Sequence, residues 1–258
     1  MSDRTAGKHV REHGSLLAAP EKRLLVGIAE RLPAWVSSDQ LSGLALAAML
    51  GAGLAFWGAS WNPLLLAGVV AALALNWFGD SLDGTLARVR EHQRPRYGFY
   101  VDHVMDMAGA LFLFGGMGLS SYMSGGVALG LLVAYMMVAA ESYLATHTCG
   151  VFRLSFLRVG PTELRLLLAA GALRLAFAPH VSLFGHQLLL LDVGGVVATA
   201  GLGAAFVAAA VRNTAALYRA EPLPSRKPAE TPSAPGAADR PRQPKLVVVL
   251  RPRTSREW

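Results

Sequence analysis

Cysteine is almost missing from this chain: Cys149 is the only one in 258 residues. That excludes an internal disulfide and any zinc site built on several cysteines. Charge is scarce too. Asp, Glu, Lys and Arg make up 16% of the sequence, well below the share in ordinary soluble domains, while hydrophobic residues make up 53%. This balance argues against a secreted disulfide scaffold, a disordered chain and an ordinary cytosolic enzyme. The first 15 residues are polar and the next stretch is charged, so no cleavable secretory signal is expected. A net charge of +7 would suit nucleic acid only if it gathered on one folded surface. Here it is parcelled out between apolar runs, and no nucleic-acid partner is expected.

Those runs are what the sequence has in abundance. A hydrocarbon core about 30 Å thick needs roughly 20 apolar residues as helix. Residues 41–59, 63–79, 104–123, 126–146, 166–184 and 187–211 supply six candidates. The fifth is interrupted by Arg174 and Pro179, and the sixth carries Asp192 near its start. Lys and Arg give an independent check, because they concentrate in cytoplasmic connections. Of the 24, all but Arg174 fall before the first run, between the second and third, between the fourth and fifth, or after the sixth. The connections at 60–62, 124–125 and 185–186 contain none. Alternation of this kind requires an even number of spans and puts both termini in the cytoplasm. The expected fold is all-α and integral to the membrane, with six transmembrane helices.

Three regions follow: a cytoplasmic N-terminal segment over 1–38, a six-helix membrane domain over 39–212 and a disordered cytoplasmic tail over 213–258. Within the first, Leu24, Leu25, Ile28 and Leu32 recur at helical spacing beside Lys22, Arg23 and Arg31. That pattern suits a helix in the lipid interface, or one packed on the protein. Ser37 and Ser38 offer N-caps for the first span. The tail holds eight of the 14 prolines, a composition that does not build a core. Its one β-prone patch is 246–250, within 245–253.

Ionisable residues at membrane depth are costly and tend to be functional. Four aspartates stand near the facing ends of the second and third runs: Asp80, Asp83, Asp102 and Asp106. On helices, 80, 83 and 87 share a face, as do 102 and 106. If the two helices are antiparallel neighbours, all four carboxylates converge. Such a group must be protonated in part or neutralised by a cation. An all-oxygen donor set favours Mg²⁺ or Mn²⁺, and a carboxylate-held metal pair suits a pyrophosphate and in-line displacement at phosphorus. Gly84 and Ala87, with Gly98 opposite, leave room for a nucleotide. Arg88 is placed to meet a phosphate, or Asp80 or Asp83. Taken alone, Asp80 reads equally well as a solvated helix-end charge or a member of an intramembrane ion pair. The eight positions together arise by chance with a probability on the order of 10⁻¹⁰ per start point at average residue frequencies.

Asp80, Asp83, Gly84, Ala87, Arg88, Gly98, Asp102 and Asp106 match, without substitution, the signature D-x2-D-G-x2-A-R-(x8 or x9)-G-x3-D-x3-D. In this the chain resembles the CDP-alcohol phosphotransferase family. Residues 32–41, LPAWVSSDQL, look like that family's segment leading into the first span, and the six-span plan extends the likeness over 32–212. The resemblance implies a phosphotransferase of the phosphatidyltransferase type, active in phospholipid biosynthesis. Such an enzyme moves a substituted phosphate from a CDP-alcohol to an acceptor hydroxyl and releases CMP. It further implies that Asp80, Asp83, Asp102 and Asp106 hold two Mg²⁺ or Mn²⁺ ions, with Asp106 also the general base. Gly84, Ala87, Arg88 and Gly98 would receive the nucleotide. A homodimer open to the cytoplasm, in the plasma (inner) membrane of a bacterium, is the implied setting.

Arg153, Arg158 and Arg165 fall on the same side as the aspartates, where they suit an acceptor or lipid phosphate. Ordinary positive-inside charge accounts for them equally well. The string Gly160-Pro161-Thr162-Glu163 is similar to one in choline/ethanolamine phosphotransferases, whose acceptor is diacylglycerol. CDP-diacylglycerol is the favoured donor, and CDP-choline or CDP-ethanolamine with diacylglycerol the alternative. Glu141, His147 and Cys149 fit no zinc spacing and read as packing or interhelical hydrogen bonding. His103 projects about 100° away from Asp102 on a helix. A transporter would place its carboxylates near the midplane, often within inverted repeats, and an inactive scaffold has no need of four aspartates.

Overall fold

A computed structural model of the chain describes residues 18–149, 161–221 and 223. The chain divides into a unit over 1–220 and a second over 221–258 that lies almost wholly outside the described residues. The first unit holds seven helices among its described residues. They are α1 (Ala18–Arg31), α2 (Ser38–Ala59), α3 (Leu65–Val89), α4 (Pro95–Leu119), α5 (Gly125–Cys149), α6 (Pro161–Phe177) and α7 (Leu190–Ala220). A hairpin of β1 (His180–Leu183) and β2 (His186–Leu189) stands between the last two helices.

Local chemistry sets the boundaries that matter for the site. Ser37 caps α2 in a reciprocal box: its hydroxyl accepts from the Gln40 backbone N–H, and its own N–H donates to Gln40 Oε1. At the end of α3, Glu91 turns left-handed at φ 57°, while His92 N–H reaches back to the Ala87 carbonyl and Glu91 N–H to that of Arg88. This is a Schellman stop. Pro95 in the first turn then suits the start of α4.

The helices run alternately up and down, as cross-contacts at each end show. At one end Ser38 Oγ donates to the Asp83 carbonyl, Arg94 pairs with Asp39, Arg165 with Asp80, and Asn213 Nδ2 donates to Glu141. At the other, Ser121 N–H donates to Ser60 Oγ and Ser124 N–H to Asp192. In between, α2 packs against both α3 and α4 over a core that includes Phe56, Leu66, Val69, Leu73, Leu113 and Met117. Helix α1 lays Leu25 and Ala29 on Leu82 and Leu86 of α3, together with Leu41 of α2, and leaves Leu24 exposed. One face of this helix is therefore packed on the protein.

Among the described residues, four helices are long and apolar enough to cross a membrane: Ser38–Ala59, Leu65–Val89, Gly125–Thr148 and Leu190–Ala220. No more than 33% of their most apolar stretches is buried within the molecule. Soluble monomers rarely expose contiguous apolar surface on that scale. Helix α4 has 25 residues but carries Arg96, Asp102 and Asp106 in its first half. Helix α6 has 17 residues, about 26 Å at 1.5 Å per residue.

Three boundaries differ from expectation. The fifth apolar run, read as helix over 166–184, is helical only to Phe177. Pro179 follows, and the chain turns back through Phe184 (φ 50°) and Gly185 (φ 83°), the two positive φ angles of a type I′ hairpin turn. The sixth run accordingly starts as helix at Leu190 rather than at 187. Residues 213–220, expected to belong to the tail, are helical instead, because Asn213-Thr-Ala-Ala-Leu-Tyr-Arg-Ala contains no helix breaker and α7 continues through it to Ala220. The β-prone patch at 246–250 lies outside the described residues.

Candidate active site

The end of the bundle where α2 begins, α3 ends and α4 begins carries the acidic group. Asp80, Asp102 and Asp106 each offer a carboxylate oxygen, and these oxygens all lie within 4.8 Å of one another. Asp80 and Asp102 are half-buried and Asp106 is exposed. The sequence places them so because Asp80 sits in the last three turns of α3, and Asp102 and Asp106 are one turn apart near the start of the antiparallel α4.

Three of the four expected aspartates therefore converge. Asp83 is turned towards α2, where its carboxylate accepts from Ser42 Oγ and from the Gly84 backbone N–H. Ser38 Oγ holds the Asp83 carbonyl at 2.8 Å, so the first turn of α2 grips the backbone of α3 beside the acidic group.

Arg165 of α6 enters this group. Its Nη2 lies 2.6 Å from Asp80 Oδ2, and its Nε donates to Asn76 Oδ1 at 2.7 Å. Asn76 is buried one turn above Asp80 and donates in turn to the Ala45 carbonyl of α2 at 3.0 Å. Asn76, Ser42 and the grip of Ser38 on Asp83 were missed from sequence. The available signal was a polar residue four positions before Asp80 on its face, and serines one turn apart in α2.

Of the remaining expected residues, Gly84, Ala87 and Gly98 lie at the same end. A Cβ built on Gly98 would meet nothing within 4 Å, and one on Gly84 only Arg88 Nη1 at 3.5 Å. Packing within the chain therefore explains neither glycine, although glycine in a helix costs about 1 kcal/mol relative to alanine. Arg88 is exposed and donates to Thr85 Oγ1 at 3.0 Å. His103 is buried, with Nδ1 2.6 Å from the Phe99 carbonyl and 3.7 Å from Asp102, and its ring lies tilted on Phe99 and edge-to-face with Tyr143. It packs behind the site. Arg153 and Arg158 lie outside the described residues. Arg174 donates to the Ala178 carbonyl, at the opposite end of α6 from Arg165.

Two arginines brace the connection between the aspartate helices. Arg90 donates to the carbonyls of Leu32, Pro33 and Val36. Arg94 pairs with Asp39 and lies 4.0 Å over the Tyr97 ring. The nine residues between Arg88 and Gly98 are thereby anchored to the segment entering α2.

The donor chemistry of Asp80, Asp102 and Asp106 is all oxygen and anionic, which fits a hard divalent cation such as Mg²⁺ or Mn²⁺. Compared with protein-family models and with curated proteins, the chain matches none.

Proposed function

We propose that the chain is a six-span membrane transferase that moves a substituted phosphate from a CDP-alcohol to an acceptor hydroxyl and releases CMP. The observation that carries this reading is the group formed by Asp80, Asp102 and Asp106 beside two glycines that no packing requires. In this reading α4 and α6 join the four long apolar helices as spans. The end carrying the acidic group faces the cytoplasm, where the basic connections lie.

Asp80, Asp102 and Asp106 would hold the divalent cation, and the family resemblance adds Asp83 as a fourth ligand. A bound cation offsets charge on the pyrophosphate and on departing CMP. The chain's own residues do the rest. The faces at Gly84 and Gly98 admit the cytidine and its phosphates. The acceptor oxygen attacks the phosphorus bearing the alcohol, the bond from that phosphorus to the CMP oxygen breaks, and the hydroxyl proton passes to a carboxylate. Asp106, the exposed member of the group, is the carboxylate that an incoming hydroxyl can reach.

Arg165 supports the choice of donor. A guanidinium beside the carboxylates suits an acceptor that brings its own phosphate, and such acceptors pair with CDP-diacylglycerol. A homodimer is the assembly that the resemblance suggests.

The test is CMP release by the purified chain in lipid micelles with Mg²⁺ or Mn²⁺. CDP-diacylglycerol is offered with polar and phosphorylated acceptors, and CDP-choline and CDP-ethanolamine with diacylglycerol. Metal-dependent CMP from a CDP-diacylglycerol pairing is the expected result. Absence of CMP from every pairing in folded protein, together with absence of CDP binding, rejects the transferase and leaves a transporter or scaffold.

A further inference from the structure

The hairpin of β1 and β2 sits at the end of the bundle opposite the aspartates, between the end of α6 and the start of α7. Its ten residues, His180-Val-Ser-Leu-Phe-Gly-His-Gln-Leu-Leu189, contain no Asp, Glu, Lys or Arg. Pairing of His180 with Leu189, Val181 with Leu188, Ser182 with Gln187 and Leu183 with His186 sorts the side chains by face. Val181, Leu183 and Leu188 share one face with His186, while His180, Ser182 and Gln187 share the other with Leu189. At the tip, Phe184 is 94% exposed. Phe177, which ends α6, is exposed as well.

A lone two-stranded hairpin is marginal in water; within the molecule β2 packs against α7, and Val181 is half-buried while Leu183 and Leu188 remain exposed. Something else must cover the apolar face and the tip. Two features identify it. The hairpin continues directly from α6 and into α7, and the neighbouring connections at this end also expose Trp61, Leu64 and Leu119. The fringe is therefore apolar, with tryptophan at its margin, as at the boundary between lipid tails and headgroups. Full charges are absent from the hairpin itself, and the two that flank it are both held by the chain: Arg174 donates to the Ala178 carbonyl and Asp192 accepts from Ser124, whereas the opposite end is rich in arginine.

We infer that the hairpin is an interfacial anchor: Phe184 and the Val181/Leu183/Leu188 face rest in the lipid boundary on the side of the membrane away from the aspartates. This goes beyond the transferase reading and depends only on the chain spanning a bilayer.

Single nitroxide labels on the full chain in lipid nanodiscs test it, in a Cys149→Ala background. Phe184→Cys, Leu183→Cys and Leu188→Cys should collide more with oxygen than with a water-soluble nickel chelate. Ser182→Cys and Gln187→Cys should show the reverse. A label at Val197→Cys, 68% exposed on α7, reports the membrane reading separately. If that label is itself water-accessible, the spanning reading fails. If it sits in lipid while Phe184→Cys prefers nickel, the anchor is rejected. Labels at 183, 184 and 188 that are shielded from both probes and dipolar-broadened reject lipid in favour of a second copy of the chain. Hydrogen exchange on the unsubstituted protein needs no variant: amides of 181–188 should be slowed at least about tenfold relative to free peptide, and free exchange overturns the anchor.

Discussion

Asp80 and Asp192 are both aspartates on helices of an apolar bundle, and they are held in opposite ways. Asp192 lies in the first turn of α7, where the helix dipole favours an anion, and it accepts from both the backbone N–H and the hydroxyl of Ser124. Its position is explained by the stability it brings. Asp80 lies inside α3, too far from its last residue, Val89, for the helix end to help or hinder it, and two further carboxylates crowd it from α4. Local stability does not account for that arrangement, and Arg165 offsets one charge of three. The difference teaches that an acidic residue near a membrane end is informative only when its surroundings fail to explain it.

The glycines divide along the same line. Gly53 and Gly116 meet where α2 crosses α4. A Cβ on Gly53 would clash with the Phe112 carbonyl, and one on Gly116 with the backbone of Gly53. A Cβ on Gly98 would meet nothing within 4 Å, and one on Gly84 only the end of the Arg88 side chain. Packing requires the first pair and not the second.

Four substitutions sharpen these contrasts, taken from the largest expected effect down. Asp106→Asn should lower CMP release by about 10³-fold, within the range for a general base, while binding of the CDP-alcohol persists; wild-type turnover would remove Asp106 from its role. Gly53→Ala should destabilise the bundle by about 1–3 kcal/mol, read as a lower unfolding midpoint in detergent. Gly84→Ala should leave that midpoint unchanged or raise it, yet weaken CDP binding about tenfold, or ~1.4 kcal/mol. Asp192→Ala should cost about 1 kcal/mol of stability and leave CMP release intact. Were Gly84→Ala to destabilise like Gly53→Ala, the two pairs of glycines would not differ in kind.

Much of this was legible beforehand, for physical reasons. Apolar runs of this length fold as helices almost regardless of detail, so each of the six runs contains one, and Ser37, one of the two serines offered as N-caps, is the cap of α2. The spacing of Asp80, Asp102 and Asp106 fixed their faces, and antiparallel neighbours brought them together. The hairpin was hidden because apolarity alone does not separate a short strand from helix. Phe184-Gly185 is a turn pair that only its positive φ angles reveal. The orientation of Asp83 depended on Ser42 of another helix, a tertiary contact that helix periodicity does not encode. Likewise, Arg165 could be assigned to this side of the bundle from charge alone, but its pairing with Asp80 required knowing that α6 packs on α3.

The most direct measurement is titration of the purified chain with Mn²⁺, followed by electron paramagnetic resonance, in the wild type and in Asp102→Asn and Asp192→Asn. The account predicts that bound Mn²⁺ is lost in Asp102→Asn and retained in Asp192→Asn. Binding that survives Asp102→Asn undiminished, or that disappears in Asp192→Asn, would contradict it.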